Sequence, residues 1–404
     1  MNVCHITTVH PTKDARIFYR MCRGLAANKI AVVLVAPGNF TPEPYLRDST
    51  WNGKLAQAGR IRRAGIALRA ALAERADVYH FHDPELIPMA LALKTVKPAS
   101  AVVYDVHEDY PSMMRDKYWL PRWIRPAAAS GAHLANRLAA RCLDGIVVAD
   151  RGVAGDFTKA ASAKIFLYHN FPSLALFALP QVAPPRVEVD LVYLGGLSER
   201  AGFFVLLEAL EILAQRGTRP TVRLAGYTDG EKGLAMIDAA LSGHGLRGQV
   251  EFYGRLAHDQ VPAWLCTGRI GLVLLQALPK FMKNIPSKMF EYWACGLPVL
   301  ASDLPPARQF LVDGKNGYLF SPKSAPQLAE RIDYLLNHPE TCRELGQTGQ
   351  HMVREQWNNE SQIGQLIHFY ERLAHQSLRE RRLSSVSLRR RDDPASIKDL
   401  PGDL

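Results

Sequence analysis

The sequence lacks the features that define several protein classes. No stretch approaches the roughly 20 consecutive apolar residues of a membrane-spanning helix. The N-terminus has no basic and then apolar leader of the kind that directs secretion. The six cysteines include no C-x-x-C pair, so neither a disulfide framework nor a metal cage is expected. With 48% hydrophobic and 22% charged residues, the 404-residue chain is typical of a folded protein of a reducing compartment, and we predict a cytoplasmic location.

Acidic residues are scarce in the first half of the chain. Residues 1–172 contain 23 Lys and Arg against 14 Asp and Glu, which accounts for most of the net charge of +10. A basic excess suits a region that meets phosphate groups, an anionic membrane surface or nucleic acid. It suits a solvated basic face without a partner equally well, so charge alone leaves these interpretations open.

Short apolar runs alternate with helical patterns along the chain. All-apolar strands joined by helices are typical of parallel sheets covered on both faces, so we predict an α/β fold with two doubly wound domains. The predicted strands are Asn2–Thr7, Ile30–Ala36, Val78–Phe81, Ala101–Val106, Gly145–Val148, Asp190–Leu194, Thr221–Ala225, Val250–Tyr253, Ile270–Leu275 and Val299–Ala301.

A proline-rich stretch interrupts this alternation and marks the domain boundary. We predict an N-terminal domain over residues 1–172, a linker over 173–188 and a C-terminal domain over 189–356. A helix over 357–376 follows, and the Arg- and Ser-rich tail over 377–404 is expected to be disordered.

Polar residues follow predicted strands at three places in the first domain, where ligands bind in open parallel sheets. The loop His10–Arg16 can hold an anion on its amides with Lys13 and Arg16; alternatively, Asp14 caps the helix and Arg16 is solvated. The loop contains no G-x-G-x-x-G, so dinucleotide binding is not predicted. The candidate residues that line a cleft are His10, Asp14, Arg16, His82, Asp83, His107 and Glu108.

Two of these places contain histidines. The i,i+2 spacing of His80 and His82 is weak evidence for a metal site, so we favour a polar cleft lining and predict no bound metal. His107 follows a strand and can hydrogen-bond a substrate hydroxyl, or it is a structural histidine in a turn.

The segment Asn284–Val299 carries the strongest pattern. Pro286 and Ser287 are expected to begin a helix whose free N–H groups can hold a diphosphate. Lys288 lies in the first turn, and Glu291, one turn further on, can accept two hydrogen bonds from a ribose diol. The alternative is an ordinary helix with a surface lysine and glutamate.

Motifs at these positions resemble the retaining GT-B glycosyltransferases of family 4, in particular a bacterial exopolysaccharide and lipid-linked glycan subgroup. The resemblance covers residues 1–373 and follows the same order and spacing. It rests on the segments His10–Phe18, His80–Pro84, Asp105–Glu108, Tyr193–Leu197, Phe252–Leu256, Lys288–Tyr292, Gly296–Val299 and Asp313–Gly317.

The resemblance implies two Rossmann-like domains with an inter-domain cleft and a last helix that crosses back to the first domain. It implies transfer of a hexose from a nucleoside diphosphate sugar, UDP- or GDP-linked, with retention at the anomeric carbon and without a metal cofactor. Catalysis is assigned to His107, Glu291, Lys288 and Arg200. The donor-binding residues implied are Gly196, Arg200, Gly254, Arg255, Ser287, Lys288 and Glu291.

The sequence departs from the family pattern at two positions. Lys283 stands where the family often has the first of two glutamates eight positions apart, so only Glu291 of that pair is present. Ala201 stands where many relatives have lysine, and Arg200 is expected to take its place.

The acceptor is implied to be a glycan, in particular a polyprenyl-linked one. Aromatic and basic residues within Met113–Arg137 (Tyr118, Trp119, Arg122, Trp123 and Arg125) suit a membrane interface, which predicts peripheral docking on an anionic inner leaflet. The alternative is that these aromatics pack on the domain's own core. A nucleotide-sugar epimerase, a phosphorylase and a non-enzymatic nucleic-acid binder are the competing functions. We predict no nucleic-acid partner because no recognition helix or aromatic-basic strand motif is present.

Overall fold

The computed structural model describes residues 1–116, 120–155, 157, 164–177, 187–228 and 230–391. The chain divides into two compact units. The first unit comprises Met1–Ala149, Ala154–Tyr168 and Ile363–Leu404, and the second comprises Asp150–Val153 and His169–Gln362.

The first unit is built on a parallel sheet of seven strands in the order β3-β2-β1-β4-β5-β6-β7. The order reverses direction between β1 and β4, which is where open sheets of this type bind ligands at their carboxyl ends. The strands are β1 (Asn2–Ile6), β2 (Ala31–Val35), β3 (Leu46–Asp48), β4 (Val78–Phe81), β5 (Ala101–Val106), β6 (Gly145–Val148) and β7 (Ile165–Leu167).

Helices connect these strands. A π-helical segment (Ala15–Cys22) leads into α1 (Arg23–Ala27), followed by α2 (Asn52–Gln57), α3 (Arg60–Ala73), a 3-10 turn (Pro84–Leu86), α4 (Ile87–Val96), α5 (Tyr110–Asp116) and α6 (Arg125–Cys142).

The second unit contains a parallel sheet of six strands in the order β10-β9-β8-β11-β12-β13, with its reversal between β8 and β11. Buried apolar side chains cover both faces of this sheet. The strands are β8 (Val189–Leu194), β9 (Val222–Ala225), β10 (Val250–Phe252), β11 (Gly268–Val273), β12 (Val299–Ser302) and β13 (Gly317–Phe320).

Two short helices, α7 (Arg151–Ala154) and α8 (Leu174–Phe177), lie close in sequence to the boundary between the units. The other helical elements of the second unit are a 3-10 turn (Glu199–Ala201), α9 (Phe203–Gln215), α10 (Gly230–Gly243), α11 (Val261–Leu265), α12 (Lys288–Ala294), α13 (Pro305–Arg308), α14 (Ala325–Asn337) and α15 (Pro339–Glu355). The last helix, α16 (Asn359–Arg391), begins in this unit and ends in the first.

Helix α16 packs on the first unit through its aromatic side chains. The Phe369 ring stacks on Phe166 with 5.2 Å between centroids, and the Tyr370 hydroxyl is hydrogen-bonded to Nδ1 of His80. The helix continues to Arg391, beyond Ser377, where the sequence predicted disorder to begin. Ser377 is buried, and the Leu, Glu and Arg residues that follow favour helix formation. Residues 392–404 of the predicted tail lie outside the described residues.

Among the helices of the described part of the chain, none combines the length and the apolar character that crossing a bilayer requires.

Candidate functional site

Histidines and an aspartate meet at the carboxyl ends of β1, β4 and β5. His5 on β1 is the register partner of His80 on β4, and side chains two apart along a strand share a face of the sheet. His80 and His82 therefore lie on one face, as do Asp105 and His107 at the end of β5. The topology brings together histidines that are far apart in sequence.

Asp105 is the centre of this group. Its side chain is fully buried and accepts two hydrogen bonds from the Arg16 guanidinium, at 2.9 Å from Nε and 2.7 Å from the terminal nitrogen. It also lies 3.0 Å from Nδ1 of His82 and 2.7 Å from Nε2 of His107. We refer to Asp105, Arg16, His82 and His107 as the Asp105 cluster.

The environment fixes the charges of the group. Burial alone would raise the pKa of Asp105, but the Arg16 guanidinium and His107 hold it well below its usual range. Burial lowers the pKa of His5, His80 and His82, so these three rings are neutral at pH 7. Asp105 is consequently an ionised carboxylate that can only accept hydrogen bonds.

The acidic side chain of the loop after β1 caps the helical segment that follows, as the second of the two interpretations predicted. Asp14 accepts hydrogen bonds from the backbone N–H groups of Arg16 and Ile17, at 2.8 and 2.9 Å, and so caps the π-helical segment itself. Arg16 is 4% exposed and paired with Asp105. Both expectations for Arg16 were therefore wrong, since it neither faces a bound anion nor solvent.

His10 lies between two carboxylates. Its ring nitrogens are 3.4 Å from Asp14 and 3.6 Å from Asp83, and its ring centroid is 5.0 Å from that of His107. Burial would lower the pKa of His10, but the hydrogen bond and charge of Asp14, with Asp83, raise it. Asp83 in turn accepts hydrogen bonds from the hydroxyls of Thr7 and Thr8, each at 3.0 Å. Glu108, which follows His107 in the sequence, is half-buried.

Two groups of described residues have ligand atoms spaced closely enough for a metal ion. They are His5 with His80 and His82, and His82 with Asp105 and His107. The contacts within each group are also those of a hydrogen-bond network, for example 2.9 Å between Nδ1 of His5 and Nε2 of His82. Metal independence therefore stays a prediction that needs its own test.

In the second unit, glycine loops lie at the carboxyl ends of β8, β9 and β10. The Gly226 N–H donates to the Gly254 carbonyl at 2.7 Å. A Cβ at Gly226 would lie 1.7 Å from the Gly195 carbonyl oxygen, and a Cβ at Gly195 would lie 2.7 Å from Nζ of Lys288. Both glycines also have positive φ angles, so the loops approach each other and Lys288 only because these positions have no side chain.

Lys288 points at the first of these loops. Its Nζ lies 4.4 Å from the centroid of the Tyr193 ring, in a cation–π contact. The Tyr193 hydroxyl donates to the carbonyls of Gly196 and Ala201, at 2.9 and 3.2 Å, and so holds the loop that carries Arg200. Burial lowers the pKa of Lys288 from 10.5 to about 8, while the nearby Glu291 carboxylate acts in the opposite direction.

The helix after Ser287 is short, and its first turn engages two of its own backbone amides. Helix α12 spans seven residues, and Ser287 provides no side-chain cap. The N–H groups of Met289 and Phe290 donate to the carbonyls of Pro286 and Ser287, each at 3.1 Å. These two amides are engaged in the first turn, so Lys288 is the group of this segment best placed to meet an anion.

The remaining predicted donor residues lie on the same unit. Glu291 is 5% exposed, with Tyr292 beside it in the core. The Tyr292 hydroxyl accepts from the Leu194 N–H at 2.8 Å and donates to the Leu272 carbonyl at 3.1 Å, so it joins β8 and β11 at the sheet reversal. Arg200 and Arg255 are exposed.

Three important residues were not among the candidates from sequence. Asp105 lies inside a quoted motif, and its position two residues before His107 on a strand was the available signal. His5 and Tyr193 each lie within a strand, and only the fold brings them to His82 and Lys288.

Two family models match the chain. A glycosyl transferase 4-like domain matches residues 15–164, and a model of glycosyl transferases group 1 matches residues 180–352.

Curated relatives match over parts of their length. An alpha-D-kanosaminyltransferase of Streptomyces kanamyceticus is 22% identical over 183 residues, which is 45% of this chain and 45% of the relative. A phosphatidyl-myo-inositol mannosyltransferase of Mycobacterium leprae is 27% identical over 208 residues, 50% of this chain and 51% of the relative. The matches thus span about half the length of these two relatives.

Solved structures match over nearly the whole chain. Sucrose-phosphate synthase from Thermosynechococcus elongatus superposes with a TM-score of 0.69 at 18% identity, covering 92% of this chain and 99% of that one. HepE of Anabaena, solved in complex with UDP-glucose, gives a TM-score of 0.64 at 15% identity, covering 91% and 99%. The chain therefore has two α/β domains of the GT-B fold, the first similar to the glycosyl transferase 4-like domain and the second similar to glycosyl transferases group 1.

Proposed function

We propose that the protein transfers a hexose from a nucleoside diphosphate donor to a glycan acceptor, with retention at the anomeric carbon. The observation that carries the proposal is the setting of Lys288, a half-buried lysine whose ammonium lies 4.4 Å from the centroid of the Tyr193 ring and faces the glycine loop at the end of β8. An ammonium whose pKa burial has lowered to about 8 gains most from a ligand that brings negative charge. A diphosphate is such a ligand.

The second unit is the donor-binding part in this proposal. Lys288 and Arg200 neutralise the diphosphate, and Glu291 accepts hydrogen bonds from the ribose diol. As the sugar–phosphate bond breaks, charge develops on the departing diphosphate, and the same two cations stabilise it. The Anabaena HepE complexes with UDP and UDP-glucose, which share this fold, support a nucleotide-sugar donor.

The donor test is a thermal-shift screen with UDP, GDP, ADP, TDP and their common sugar conjugates. A ligand at 100 times its dissociation constant stabilises the native state by about 2.7 kcal/mol, which shifts the melting temperature by a few degrees. We expect one nucleoside diphosphate to give the largest shift in melting temperature. Glu291→Gln should weaken the binding of that nucleotide more than the binding of inorganic pyrophosphate, which has no ribose. If no nucleotide shifts the melting temperature, the donor assignment is wrong.

Metal independence is part of the proposal. The charges of Lys288 and Arg200 supply the neutralisation that a divalent ion provides in other phosphate sites. Transfer activity measured in excess EDTA should equal that measured in added Mg²⁺. A loss of activity in EDTA that Mg²⁺, Mn²⁺ or Zn²⁺ restores would contradict it.

The acceptor is proposed to be a lipid-linked glycan reached at the cytoplasmic, anionic face of a membrane. Trp123 is 80% exposed, and Leu134 and Leu138, one turn apart on α6, are 67% and 45% exposed. Arg137 and Arg141 on the same helix are also exposed. Apolar side chains flanked by arginines suit the boundary between headgroups and acyl chains. Tyr118 and Trp119 of the predicted aromatic segment lie outside the described residues.

Co-sedimentation with vesicles tests this surface. The Trp123→Ser, Leu134→Ser double variant should bind vesicles containing phosphatidylglycerol at least about 100-fold more weakly, since each buried side chain is worth about 1.5–3 kcal/mol and two are removed. Leu234→Ser, which removes a leucine 47% exposed on α10 of the second unit, is the matched control and should bind like wild type. Equal binding to phosphatidylcholine vesicles, or an unaffected double variant, would contradict the membrane partner.

The family matches do not favour the competing functions. Both models and the relatives described above are glycosyltransferases, not epimerases or nucleic-acid binders. Product analysis without added acceptor separates an epimerase from a transferase, because an epimerase needs none.

A further inference from the structure

The orientation of His107 is set by the residue two positions before it. Nε2 of His107 lies 2.7 Å from Oδ2 of Asp105, and the His107 side chain is 10% exposed while that of Asp105 is fully buried. The carboxylate thus lies on the inner side of the ring, which leaves the other ring nitrogen, Nδ1, as the atom that does not face Asp105.

The charge of Asp105 decides where the proton of His107 lies. An ionised carboxylate has no proton to donate, so a ring nitrogen at hydrogen-bond distance from it must carry the hydrogen. Nε2 of His107 is therefore the protonated nitrogen. When the ring is neutral, Nδ1 then has the lone pair and can only accept a hydrogen bond.

The residues behind Asp105 keep its carboxylate in place. Arg16 holds both of its oxygens in a bidentate pair, which fixes the plane of the carboxylate. Nδ1 of His82 lies 3.0 Å from Oδ2 of Asp105 and 3.2 Å from Nε2 of His107. Because Nε2 of His107 carries the hydrogen that it donates to the carboxylate, the hydrogen on Nδ1 of His82 is donated to the carboxylate as well. His82 then accepts through Nε2 from Nδ1 of His5, at 2.9 Å. Nε2 of His5 is buried without a partner among the described residues, as fits a nitrogen without hydrogen.

The surroundings of His107 indicate which kind of group Nδ1 can bind. His10, whose ring is 5.0 Å away, already lies between Asp14 and Asp83. A region with this many carboxylates repels phosphate and suits the hydroxyl groups of a neutral sugar. Hydroxyls are the donors that a lone pair on an imidazole nitrogen requires.

We propose that Asp105 is a positioning residue that holds His107 in the tautomer with hydrogen on Nε2, so that Nδ1 accepts a hydrogen bond from a sugar hydroxyl of the substrate. The inference rests on the proposed glycosyl transfer for the identity of that hydroxyl. Asp105 acts on the substrate through His107, and Arg16 acts by holding Asp105 in place. Asp105 and Arg16 thus orient the residue that contacts the substrate.

A double-mutant cycle tests the dependence on His107. Asp105→Asn should lower kcat about 100-fold, in the range found for groups that position a catalytic proton or hydrogen bond, with a smaller change in KM. In the His107→Ala background the same change should cost little, because the residue it positions is gone. Asp144→Asn is the matched control: this carboxylate, 14% exposed, pairs with Lys94 and accepts from the Val102 N–H at 2.8 Å, and its loss should leave kcat unchanged.

Nitrogen NMR of protein labelled with ¹⁵N-histidine gives a readout that needs no substrate and no folded Asp105 variant. The His107 signals, assigned by their absence in His107→Ala, should show hydrogen on Nε2 and none on Nδ1 in the neutral form of the ring. If no donor is turned over, the spectrum still tests the placement, so the proposed function and this inference fail separately.

Three results would overturn the proposal. One is a spectrum in which the neutral His107 ring has its hydrogen on Nδ1. A second is an Asp105→Asn effect that is equally large in the His107→Ala background, since this is what a merely structural role produces. The third is a His107 spectrum that changes on EDTA treatment, which would assign the cluster to a metal ion.

Discussion

The two polar sites of this protein differ in how their charges are balanced. In the first unit, the buried carboxylate of Asp105 is matched by Arg16 and by the N–H groups of two histidines. In the second unit, Lys288 faces an aromatic ring and backbone loops, with Glu291 near enough to affect its pKa. We propose that the first arrangement holds a side chain in one orientation and that the second is completed by an anionic ligand.

The difference follows from the residues that end the strands. β4 and β5 end in side chains that can pair with each other, spaced two apart on one face of the sheet. β8 and β9 end in glycines, whose missing side chains leave room for Lys288 and for close backbone approach. The stabilities of the two units should therefore depend differently on pH, and a bound ligand should stabilise mainly the second unit.

The largest expected effect is the pH dependence of the first unit's stability. His5, His80 and His82 have pKa values lowered from 6.5 by burial. The unfolded chain takes up protons below pH 6.5 that the folded unit does not, so the free energy of unfolding falls as pH falls. Each histidine contributes about 1.4 kcal/mol per pH unit in that window. Scanning calorimetry between pH 7 and 5 measures the shift.

Two controls sharpen this prediction. The raised pKa of His10 acts in the opposite direction, because its contribution is present at low pH and lost as pH rises through its folded value. His80→Gln removes one of the protons taken up on unfolding, so it should reduce the slope of the free energy of unfolding against pH by about 1.4 kcal/mol per pH unit. The unfolding transition whose melting temperature rises when nucleotide is added is assigned to the second unit. A first-unit transition that stays constant from pH 7 to 5 would contradict the neutral histidine group.

The second effect is the loss of donor binding in Lys288→Met. Removing one group that stabilises developing negative charge costs about 10²–10³-fold in rate, and we expect a fall of that size in kcat/KM together with weaker nucleotide binding. Lys323→Met, which removes an exposed lysine of the same unit, should have no effect. If both variants behave alike, Lys288 is an ordinary surface lysine and the donor site lies elsewhere.

A smaller effect is expected at Gly349, where α15 packs against α12. A Cβ there would lie 2.1 Å from Cδ1 of Trp293, whose ring is buried in the core. Gly349→Ala should destabilise the second unit by about 1–3 kcal/mol through overpacking. Gly364→Ala, in α16, meets nothing within 4 Å and should be neutral or slightly stabilising. Calorimetry compares the two, and equal melting curves would show that α12 can shift to make room.

The sequence predicted the interior of both sheets well. Val78–Phe81, Ala101–Val106 and Gly145–Val148 are strands with the predicted bounds, because central strands are short runs that are apolar throughout. The three strands that were not predicted, Leu46–Asp48, Ile165–Leu167 and Gly317–Phe320, all lie at sheet edges. Leu46–Asp48 and Ile165–Leu167 have only three residues each, which is too few for periodicity to distinguish a strand from other structure.

The site was predictable only in part, for a related reason. A motif at a strand end pointed to His107, because such positions bind ligands in this type of sheet, and a pattern at the start of a helix pointed to Lys288. The partner of Arg16 is 89 residues away in sequence, and no local pattern indicates that pairing. Burial of a charged side chain depends on the tertiary contact that neutralises it, so both sequence interpretations of Arg16 failed.

The central claim is that Lys288 receives the diphosphate of a nucleotide sugar. A bound diphosphate raises the pKa of an ammonium from about 8, so binding above that pH must take up a proton. Calorimetric titration of the nucleoside diphosphate selected by the screen, at pH 8.5 in two buffers of different ionisation enthalpy, measures that uptake. The account predicts net proton uptake by wild type and none by Lys288→Met. Binding without proton uptake, or equal uptake by the variant, would contradict it.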